Sequence, residues 1–566
     1  MPAVWRNWLE LQLLIDINQA PAGQKPRRFC HLQSMRIVRK ALLLAVAIPV
    51  LAWAGTIELP HISAPEVWHE VFTYCQEVSA EFGDEGEPVA MRRPVMHSPP
   101  SASPSPAAPV DPSVEIACQA SGGNPEREAA FRAWLAEEYA EPGETVMVAG
   151  TDEGGVYVLS EHGTATRCLK RYDMASGQID CLTPTNETRE LVGPLFSSEV
   201  DGEQRLSGLI WRSPEGARTE WIDRAMAAYQ SRLEEAFPGA GFDWFGPGPE
   251  RWIVRVRWPD RPPAWLSADV TESSWQVLAE CPVVVTPTVR TVFRFTASDG
   301  EAVTGIFTWP DAPGPFPLVV FPHGGPGAIS TTDFDERVWA LADAGFAVFQ
   351  PNYRGSVGFG KRFRLDGWGP EGIRRGLLDV REGITALFAD PESRLDGRPP
   401  ILLGGSWGGY VALAQLALFP DDYSGAVSFF GAFDLPELLQ DAWKRTGEGV
   451  SPAAAERSRR SLKRQLGDPE NPSDMAALAA LSPIHLLDAI HAPAILFHNR
   501  EDHIIPFAQS ERMAAAMLRR NLPVLFRPYD GDHGWPPHEE SDLYAALPVI
   551  FGSWMSQSIL GGAGKD

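Results

Sequence analysis

The alternation of apolar and polar positions changes character near residue 290. Before that point apolar runs are short and are broken by Gly, Asp, Asn and Pro, as in Gly155–Ser160, Arg167–Tyr172, Arg251–Arg257 and Trp265–Asp269. Runs of this kind predict strands of a sandwich, barrel or propeller segment, and only the stretch from Glu220 to Phe237 has helical periodicity. We therefore predict a smaller, all-β, propeller-like domain over residues 115–287. At about 40 residues per blade it has room for only about four blades.

After residue 290, apolar runs alternate with stretches that suit helices. Eight runs predict strands: Val292–Phe295, Val303–Trp309, Leu318–Phe321, Ala347–Gln350, Ile401–Leu403, Ala426–Phe430, Ala494–Phe497 and Val524–Arg527. The first two form a hairpin and helices separate most of the others, which predicts a doubly wound, mostly parallel α/β sheet over residues 288–560. A longer helical excursion, from Leu435 to about Ala480, is a candidate roof over the carboxyl edge of the sheet.

The beginning of the chain carries a third pattern. Met35–Lys40 is basic, Ala41–Ala54 is apolar, and Ala52-Trp-Ala54 suits cleavage between small residues, which are the three zones of a secretory signal. The apolar run is shorter than the ~20 residues of a membrane span, and the alternative is an uncleaved anchor. In both cases the basic residues before the apolar run stay in the cytoplasm, so the chain that follows the run is expected to cross the membrane. We predict an extension with a signal or anchor over 1–54, a Pro/Ser-rich linker over 55–114, and a periplasmic or secreted protein.

Composition narrows the class of partner. With 566 residues, 44% of them hydrophobic and 22% charged, the chain suits a soluble protein of two or more domains. Its formal net charge of −24 argues against a nucleic-acid partner, because phosphate contacts need clustered Lys and Arg. The sequence contains no Cys-x-x-Cys or similar spacing that would predict a metal site.

Two cysteines flank a hairpin-like turn. Pairing Arg171 with Gln178 places Cys168 and Cys181 directly opposite each other. An oxidising compartment would allow a disulfide between them, and two buried thiols are the alternative.

The strand at Ile401 runs into Gly404-Gly-Ser406-Trp-Gly408, and a run that suits a helix follows from Tyr410. This order is that of a nucleophile elbow, in which glycines at 404 and 408 let strand and helix pass closely while Ser406 sits on a strained turn. The alternative is a glycine-rich turn with an incidental serine. The choice depends on whether a base, an acid and an oxyanion hole lie where this fold requires them.

An acid and a base follow the serine in the required order. Asp502 comes just after the seventh predicted strand and His533 just after the eighth, so both fall at the edge of the sheet that holds Ser406. Imidazole must take the serine proton, and a carboxylate must hold the imidazole in the right tautomer. The alternative acid is Glu501, and the alternative bases are His503 and His538. We interpret Asp530 and Asp532 as turn residues.

The oxyanion hole of such a site combines two backbone N–H groups. Trp407, the residue after the serine, supplies one. The other comes from the glycine loop after the third strand, where Gly325 is our candidate and Gly324 the next. His323 in the same loop is interpreted as a structural hydrogen-bonding residue.

Five ordered motifs resemble those of a known family. They are Pro322-His-Gly-Gly-Pro-Gly327, Gln350-Pro-Asn-Tyr-Arg-Gly-Ser-Val-Gly-Phe-Gly360, Gly404-Gly-Ser-Trp-Gly-Gly-Tyr410, the Asp502 segment and Gly531-Asp-His-Gly534. Over about 290–557 the chain resembles the prolyl oligopeptidase family of serine peptidases, and most of all its acylaminoacyl-peptidase and dipeptidyl-peptidase branch. The resemblance implies an α/β-hydrolase fold with Ser406 as nucleophile, Asp502 as acid and His533 as base. It also implies that Arg354 is structural and supports the active-site loops.

The family usually has an N-terminal propeller that filters substrates by size, and residues 115–287 resemble a shortened or divergent version of it. No paired-glutamate segment of the kind that dipeptidyl peptidases use is found, so the substrate-binding residues stay unassigned. Trp407, Phe430 and Trp443 could line an apolar pocket or could be core residues.

These observations predict a serine peptidase that hydrolyses short peptides through an acyl-enzyme. A carboxylesterase with the same triad is the alternative, because fold and triad do not fix the leaving group, and a catalytically silent scaffold is a third possibility. The expected partner is a peptide or small acyl substrate, with membrane contact only if the signal is uncleaved. No cofactor or metal is expected, since the triad is self-sufficient.

Overall fold

The computed structural model describes residues 124–138, 146–152, 154–183, 189–198, 204–245, 251–280, 287–446 and 452–535. The predicted signal at 1–54, the linker at 55–114, His538 and the end of the α/β domain after residue 535 lie outside the described residues. Within the described ranges no helix has both the length and the hydropathy needed to span a membrane.

Three antiparallel meanders follow one another in the N-terminal part. The first contains β1 Val146–Asp152, β2 Gly155–Ser160, β3 Cys168–Asp173 and β4 Ile179–Cys181; the second contains β5 Glu190–Ser198, β6 Gln204–Ser213 and β7 Gly216–Trp221; the third contains β8 Gly241–Phe245, β9 Arg251–Arg257, β10 Ala264–Asp269 and β11 Ser274–Glu280. Each sheet is blade-like, with neighbours in the chain paired in the sheet. The four strands that the apolar runs predicted here are all present.

Two helices accompany these sheets. Helix α2, Arg224–Ala236, confirms the helical prediction for this stretch, and Asp223 caps it by accepting from the N–H groups of Ala225 and Met226. Helix α1, Pro125–Glu138, was not predicted. It buries Phe131 and Leu135, one turn apart, against the first sheet, and Trp134 stacks on Tyr172 beside them.

The hairpin of β3 and β4 carries a disulfide between Cys168 and Cys181, whose Cα atoms are 6.2 Å apart. The predicted register was wrong by two residues, because Arg171 pairs with Asp180 and not with Gln178. The turn explains the shift. The side chain of Asp173 accepts from two N–H groups of the turn and its own N–H donates to Gln178, so the loop closes at Asp173.

The C-terminal part is built on one sheet of eight strands: β12 Thr288–Thr296, β13 Ala302–Pro310, β14 Leu318–Val320, β15 Ala347–Asn352, β16 Ile401–Gly405, β17 Gly425–Phe429, β18 Ala494–Asn499 and β19 Val524–Tyr529. Their order is β12-β13-β15-β14-β16-β17-β18-β19. The pairs β12–β13 and β13–β15 are antiparallel and the remaining pairs are parallel. All eight predicted strands and the mostly parallel sheet are confirmed.

Helices cover this sheet: α3 Glu336–Asp343, α4 Gly360–Asp366, α5 Gly369–Ala389, α6 Trp407–Leu418, α7 Leu435–Arg445, α8 Pro452–Leu466, α9 Pro472–Ala480 and α10 Ala508–Arg519. Short 3-10 turns lie at Pro391–Ser393, Pro483–His485 and Leu487–Ala489. The predicted excursion after the sixth strand is helical, as α7, α8 and α9, and its helices pack against one another and against α5.

One loop of the α/β domain is bonded to the N-terminal sheets. The N–H of Thr332 donates to the carbonyl of Pro214, and the N–H of Phe334 donates to that of Trp258. Between these two bonds, Asp333 forms an ion pair with Arg257 of β9. The loop is therefore held by the N-terminal sheets at three successive residues.

Candidate active site

Ser406 lies on a sharp turn between β16 and α6, with φ 55° and ψ −123°. Its N–H donates to the carbonyl of Phe429 at 2.8 Å. A Cβ on Gly404 would lie 2.3 Å from the carbonyl oxygen of Gly408, and a Cβ on Gly408 would lie 2.2 Å from that of Pro322. Both positions therefore require glycine, and the strained serine has the geometry expected of an elbow.

The structure brings Ser406, His533 and Asp502 together. His533 Nε2 is 3.0 Å from Ser406 Oγ, and His533 Nδ1 is 2.7 Å from Asp502 Oδ2. The imidazole therefore bridges hydroxyl and carboxylate in the order that the sequence predicted. This arrangement can deprotonate the hydroxyl and hold the resulting imidazolium.

Asp502 is buried and fully bonded. Its Oδ1 accepts from the N–H groups of Ile504 and Ile505, at 2.9 and 2.8 Å. Burial by itself would raise the pKa of this carboxyl, but hydrogen bonds from His498, His533 and the Ile505 N–H hold the pKa well below its usual range. The group facing His533 is therefore a carboxylate at every pH at which the protein would work.

His498 was missed by the sequence analysis. It is fully buried on β18, with Nδ1 2.6 Å from Ser510 Oγ, and Nε2 2.9 Å from the Ile505 carbonyl and 3.4 Å from Asp502 Oδ2. It thus touches both the acid and the loop that carries it. The signal for it in the sequence is a histidine inside an otherwise apolar strand.

The rival acid and base residues lie elsewhere. Glu501 and Asp530 are exposed, and Asp530 forms a surface ion pair with Arg500. His503 is exposed and pairs with Asp532, whose Oδ1 also accepts the N–H of His533. Asp532 is therefore a turn residue that helps to orient the loop of the base. In the described ranges no group of three or more His, Cys, Asp or Glu side chains is placed to hold a metal ion.

Both predicted oxyanion-hole segments border Ser406. Trp407 is the first residue of α6, so its N–H belongs to the unbonded first turn of that helix. In the glycine loop, Gly324 is the closer residue, since a Cβ there would lie 3.5 Å from the Cβ of Ser406. Gly325 follows it with φ 120°, a conformation that favours glycine. Gly325 stays a prediction, with Gly324 as its neighbour in contact with the serine.

His323 is held as a structural residue would be. Its ring stacks on Tyr353 at a centroid distance of 4.6 Å, its Nε2 is 2.8 Å from Ser356 Oγ, and its carbonyl accepts from the Tyr353 hydroxyl. Burial lowers the pKa of His323 to about 4. A neutral imidazole therefore joins the glycine loop to the loop after β15.

Arg354 joins the same loop to α5. Its Nε and Nη2 donate to both carboxylate oxygens of Asp379, at distances from 2.6 to 3.2 Å, and its Nη1 donates to Asp299. The side chain is buried. These contacts are those of a residue that supports the active-site loops, as the sequence analysis expected.

Aromatic rings enclose the histidine side of the site. Phe430 meets the His533 ring edge-on at 4.7 Å, and Trp535, two residues after the base, packs on Phe429 at 4.5 Å and on Phe430 at 5.6 Å. Of the three predicted pocket aromatics, Phe430 borders the cavity described next. Trp407 packs on Tyr410, and Trp443 lies under Arg459.

A cavity of about 330 Å³ opens beside Ser406. Its apolar wall includes Phe321, Ile329, Phe334, Phe430 and Trp535. Its polar wall is formed by Arg290, Asp333, Asp335, Arg337 and Gln350. None of these polar residues was predicted as a site residue from the sequence, and they come from three separate segments of the chain.

Comparisons with known proteins agree with this geometry. Residues 332–547 match the model of the prolyl oligopeptidase family. Dipeptidyl aminopeptidase BIII of Pseudoxanthomonas mexicana is 27% identical over 441 residues, which cover 73% of this chain and 59% of that protein. The acylamino-acid-releasing enzyme of Rattus norvegicus is 30% identical over 217 residues, which cover 37% of this chain and 27% of that enzyme. The chain thus spans less than two thirds of either relative.

Among solved structures, a puromycin-hydrolyzing peptidase of Mycobacterium tuberculosis superposes with a TM-score of 0.58 at 21% identity, covering 73% of this chain and 62% of that one. A likeness at this identity shows the fold alone. It confirms the predicted architecture, an α/β-hydrolase domain preceded by a smaller β domain.

Proposed function

We propose, from the premise that residues 332–547 belong to the prolyl oligopeptidase family, that this protein is a serine peptidase acting on short peptides. The observation that carries the proposal is the bonded series of Ser406, His533 and Asp502 on a strained elbow. The names of the aligned relatives, a dipeptidyl aminopeptidase and an acylamino-acid-releasing enzyme, support peptide substrates.

In the proposed reaction His533 Nε2 takes the proton of Ser406 as Oγ attacks the carbonyl carbon. The imidazolium then gives that proton to the leaving amine, and an acyl-enzyme remains. Asp502 accepts a hydrogen bond from the Nδ1–H, which fixes the tautomer and stabilises the positive ring. Water repeats the sequence with the same base and releases the acid product.

The carbonyl oxygen becomes negatively charged in the tetrahedral intermediate. We assign its stabilisation to the N–H of Trp407, at the start of α6, and to an N–H of the glycine loop, with Gly325 as the candidate. Donors of this kind are each worth about 10²–10³ in rate, because they are fixed before the charge develops.

A fluorophosphonate probe tests the nucleophile directly. We expect covalent labelling of the full chain, with loss of labelling in Ser406→Ala and unchanged labelling in Ser231→Ala, an exposed serine on α2. Absence of labelling in a folded wild-type protein would exclude the mechanism and leave the scaffold hypothesis.

Matched substrates separate peptidase from esterase. We expect the protein to hydrolyse a dipeptide p-nitroanilide many orders of magnitude faster than the uncatalysed reaction. We also expect it to cleave peptides of a mixed library. Hydrolysis of the matched p-nitrophenyl ester with no cleavage of any amide would favour the carboxylesterase alternative.

We also propose that the protein acts outside the cytoplasm. The support is the basic, apolar and small-residue pattern at Met35–Ala54 together with the disulfide between Cys168 and Cys181, which suits an oxidising compartment. Fractionation of producing cells is the test, with the periplasm or medium as the expected location. Retention in the membrane fraction would indicate an uncleaved anchor, and recovery from the cytosol would contradict export.

A further inference from the structure

Arg290 is a cation in the cavity wall that is hydrogen-bonded only to uncharged acceptors. It lies on β12 and borders the cavity beside Ser406. Its Nη2 donates to the carbonyl oxygen of Thr331 at 3.1 Å and to Oε1 of Gln350 at 2.8 Å, and both acceptors are uncharged. Its Nε is buried without an acceptor, and no carboxylate of the described ranges lies within 4.0 Å of the guanidinium.

The two carboxylates of the same cavity have their own partners. Asp333 is paired with Arg257 and also accepts from the Thr331 hydroxyl at 3.1 Å. Asp335 caps α3, accepting from the N–H groups of Arg337 and Val338, and lies 3.4 Å from the Arg337 Nε. Both acids attract Arg290 electrostatically, but neither is hydrogen-bonded to it, and the Nε of Arg290 is left without an acceptor.

The chemistry of this partly buried guanidinium determines which ligand it can bind. Burial lowers the pKa of Arg290, but arginine does not lose its proton in proteins, so the charge remains. Removing a charge from water costs free energy, and an opposite charge bound beside it offsets part of that cost. The planar fork of nitrogens matches a carboxylate better than any other group of a peptide.

We propose that Arg290 binds a carboxylate of the substrate in the cavity beside Ser406. The proposal rests on the peptidase function proposed above. Gly324, Gly405 and Ser406 line the same cavity, so the carboxylate belongs to a residue close to the scissile bond. A volume of about 330 Å³ is at the small end of ligand sites. Two sources share this chemistry: an acidic side chain, and the terminal α-carboxylate of a short leaving peptide.

Two pairs of substrates distinguish these sources. Ala-Glu-p-nitroanilide and Ala-Gln-p-nitroanilide differ only in the charge of a side chain. Benzyloxycarbonyl-Gly-Phe-Ala and its C-terminal amide differ only in the terminal carboxylate. We expect the full-length wild type to prefer the charged member of one pair by roughly tenfold or more in kcat/KM, the size of one charge-assisted hydrogen bond.

The variants then assign the preference to Arg290. In Arg290→Gln we expect the ratio within the preferred pair to fall to about one, and in Arg290→Lys to an intermediate value. Arg294→Gln is the matched control, because Arg294 lies on the same strand but is exposed and pairs with Glu215; its ratio should equal that of the wild type. Circular dichroism checks that each variant is folded.

A binding measurement keeps the proposal testable if turnover is absent. Ser406→Ala is titrated calorimetrically with the same four compounds, and the charged member should bind roughly tenfold more tightly. Three results would each overturn the proposal: no preference for the charged member of either pair, equal binding of charged and neutral members, or a preference that persists in Arg290→Gln. Failure of the peptidase function itself is a separate result, since it appears as absence of fluorophosphonate labelling or as hydrolysis of the matched ester with no cleavage of any amide.

Discussion

Arg257 of the N-terminal sheets forms an ion pair with Asp333, and Asp333 borders the cavity beside Ser406. The Arg257 side chain is buried. Two further hydrogen bonds hold it, from its Nε to Asp243 at 2.7 Å and from its Nη2 to the Ala217 carbonyl at 2.9 Å. A wall of the candidate site is therefore positioned by a residue outside the α/β domain. This contact gives the N-terminal β domain a role in shaping the site.

We predict that Arg257→Gln weakens peptide hydrolysis mainly through KM and lowers the free energy of unfolding by about 2 kcal/mol. Removing one partner of an enclosed ion pair leaves the other charge uncompensated, and the partial exposure of Asp333 reduces the cost. Steady-state kinetics and urea unfolding measure the two effects. Arg255→Gln is the control, because Arg255 pairs with Asp243 but not with Asp333. An unchanged KM in Arg257→Gln would show that Asp333 keeps its place without the pair.

His323 predicts a pH dependence of stability. Its pKa is about 4 in the folded protein and about 6.5 in an unfolded chain. Between these values the unfolded state binds more protons, so stability is complete above pH 6.5 and is lost as the pH falls toward 4. Urea unfolding at several pH values should show a shallower decline for His323→Asn than for the wild type. His485→Gln, which changes an exposed histidine, should follow the wild-type curve.

We expect His498 to act as a positioning residue for Asp502. In His498→Leu the acid loses one hydrogen-bond donor and the Ile505 carbonyl loses a contact. We predict a fall in kcat of about tenfold with little change in KM, because the change affects the orientation of the imidazole and not the cavity. The rate of fluorophosphonate labelling should fall in parallel. A rise in KM with unchanged kcat would contradict this role, and His491→Gln is a control at an exposed position.

The parts that the sequence predicted correctly are those encoded locally. Buried parallel strands appear as uninterrupted apolar runs, so all eight strands of the main sheet could be located. The polar wall of the cavity could not, because Arg290, Asp333 and Gln350 become neighbours only when β12, β15 and the loop after β14 pack together. The hairpin register was lost for a different reason. The side chain of Asp173 caps a turn that closes on Gln178, and this moves the partner of Arg171 by two residues, from Gln178 to Asp180.

The elbow predicts which glycines cannot be replaced. A Cβ on Gly404 would lie 2.3 Å from the backbone oxygen of Gly408, and neither side of that contact can move without displacing Ser406. We therefore expect Gly404→Ala to abolish labelling of Ser406 and to lower the free energy of unfolding by several kcal/mol, as overpacking against backbone does. Gly193→Ala is the matched control, because no atom lies within 4 Å of a Cβ at that position. Labelling at the wild-type rate in Gly404→Ala would show that strand and helix can separate, and that the strained turn does not depend on their close approach.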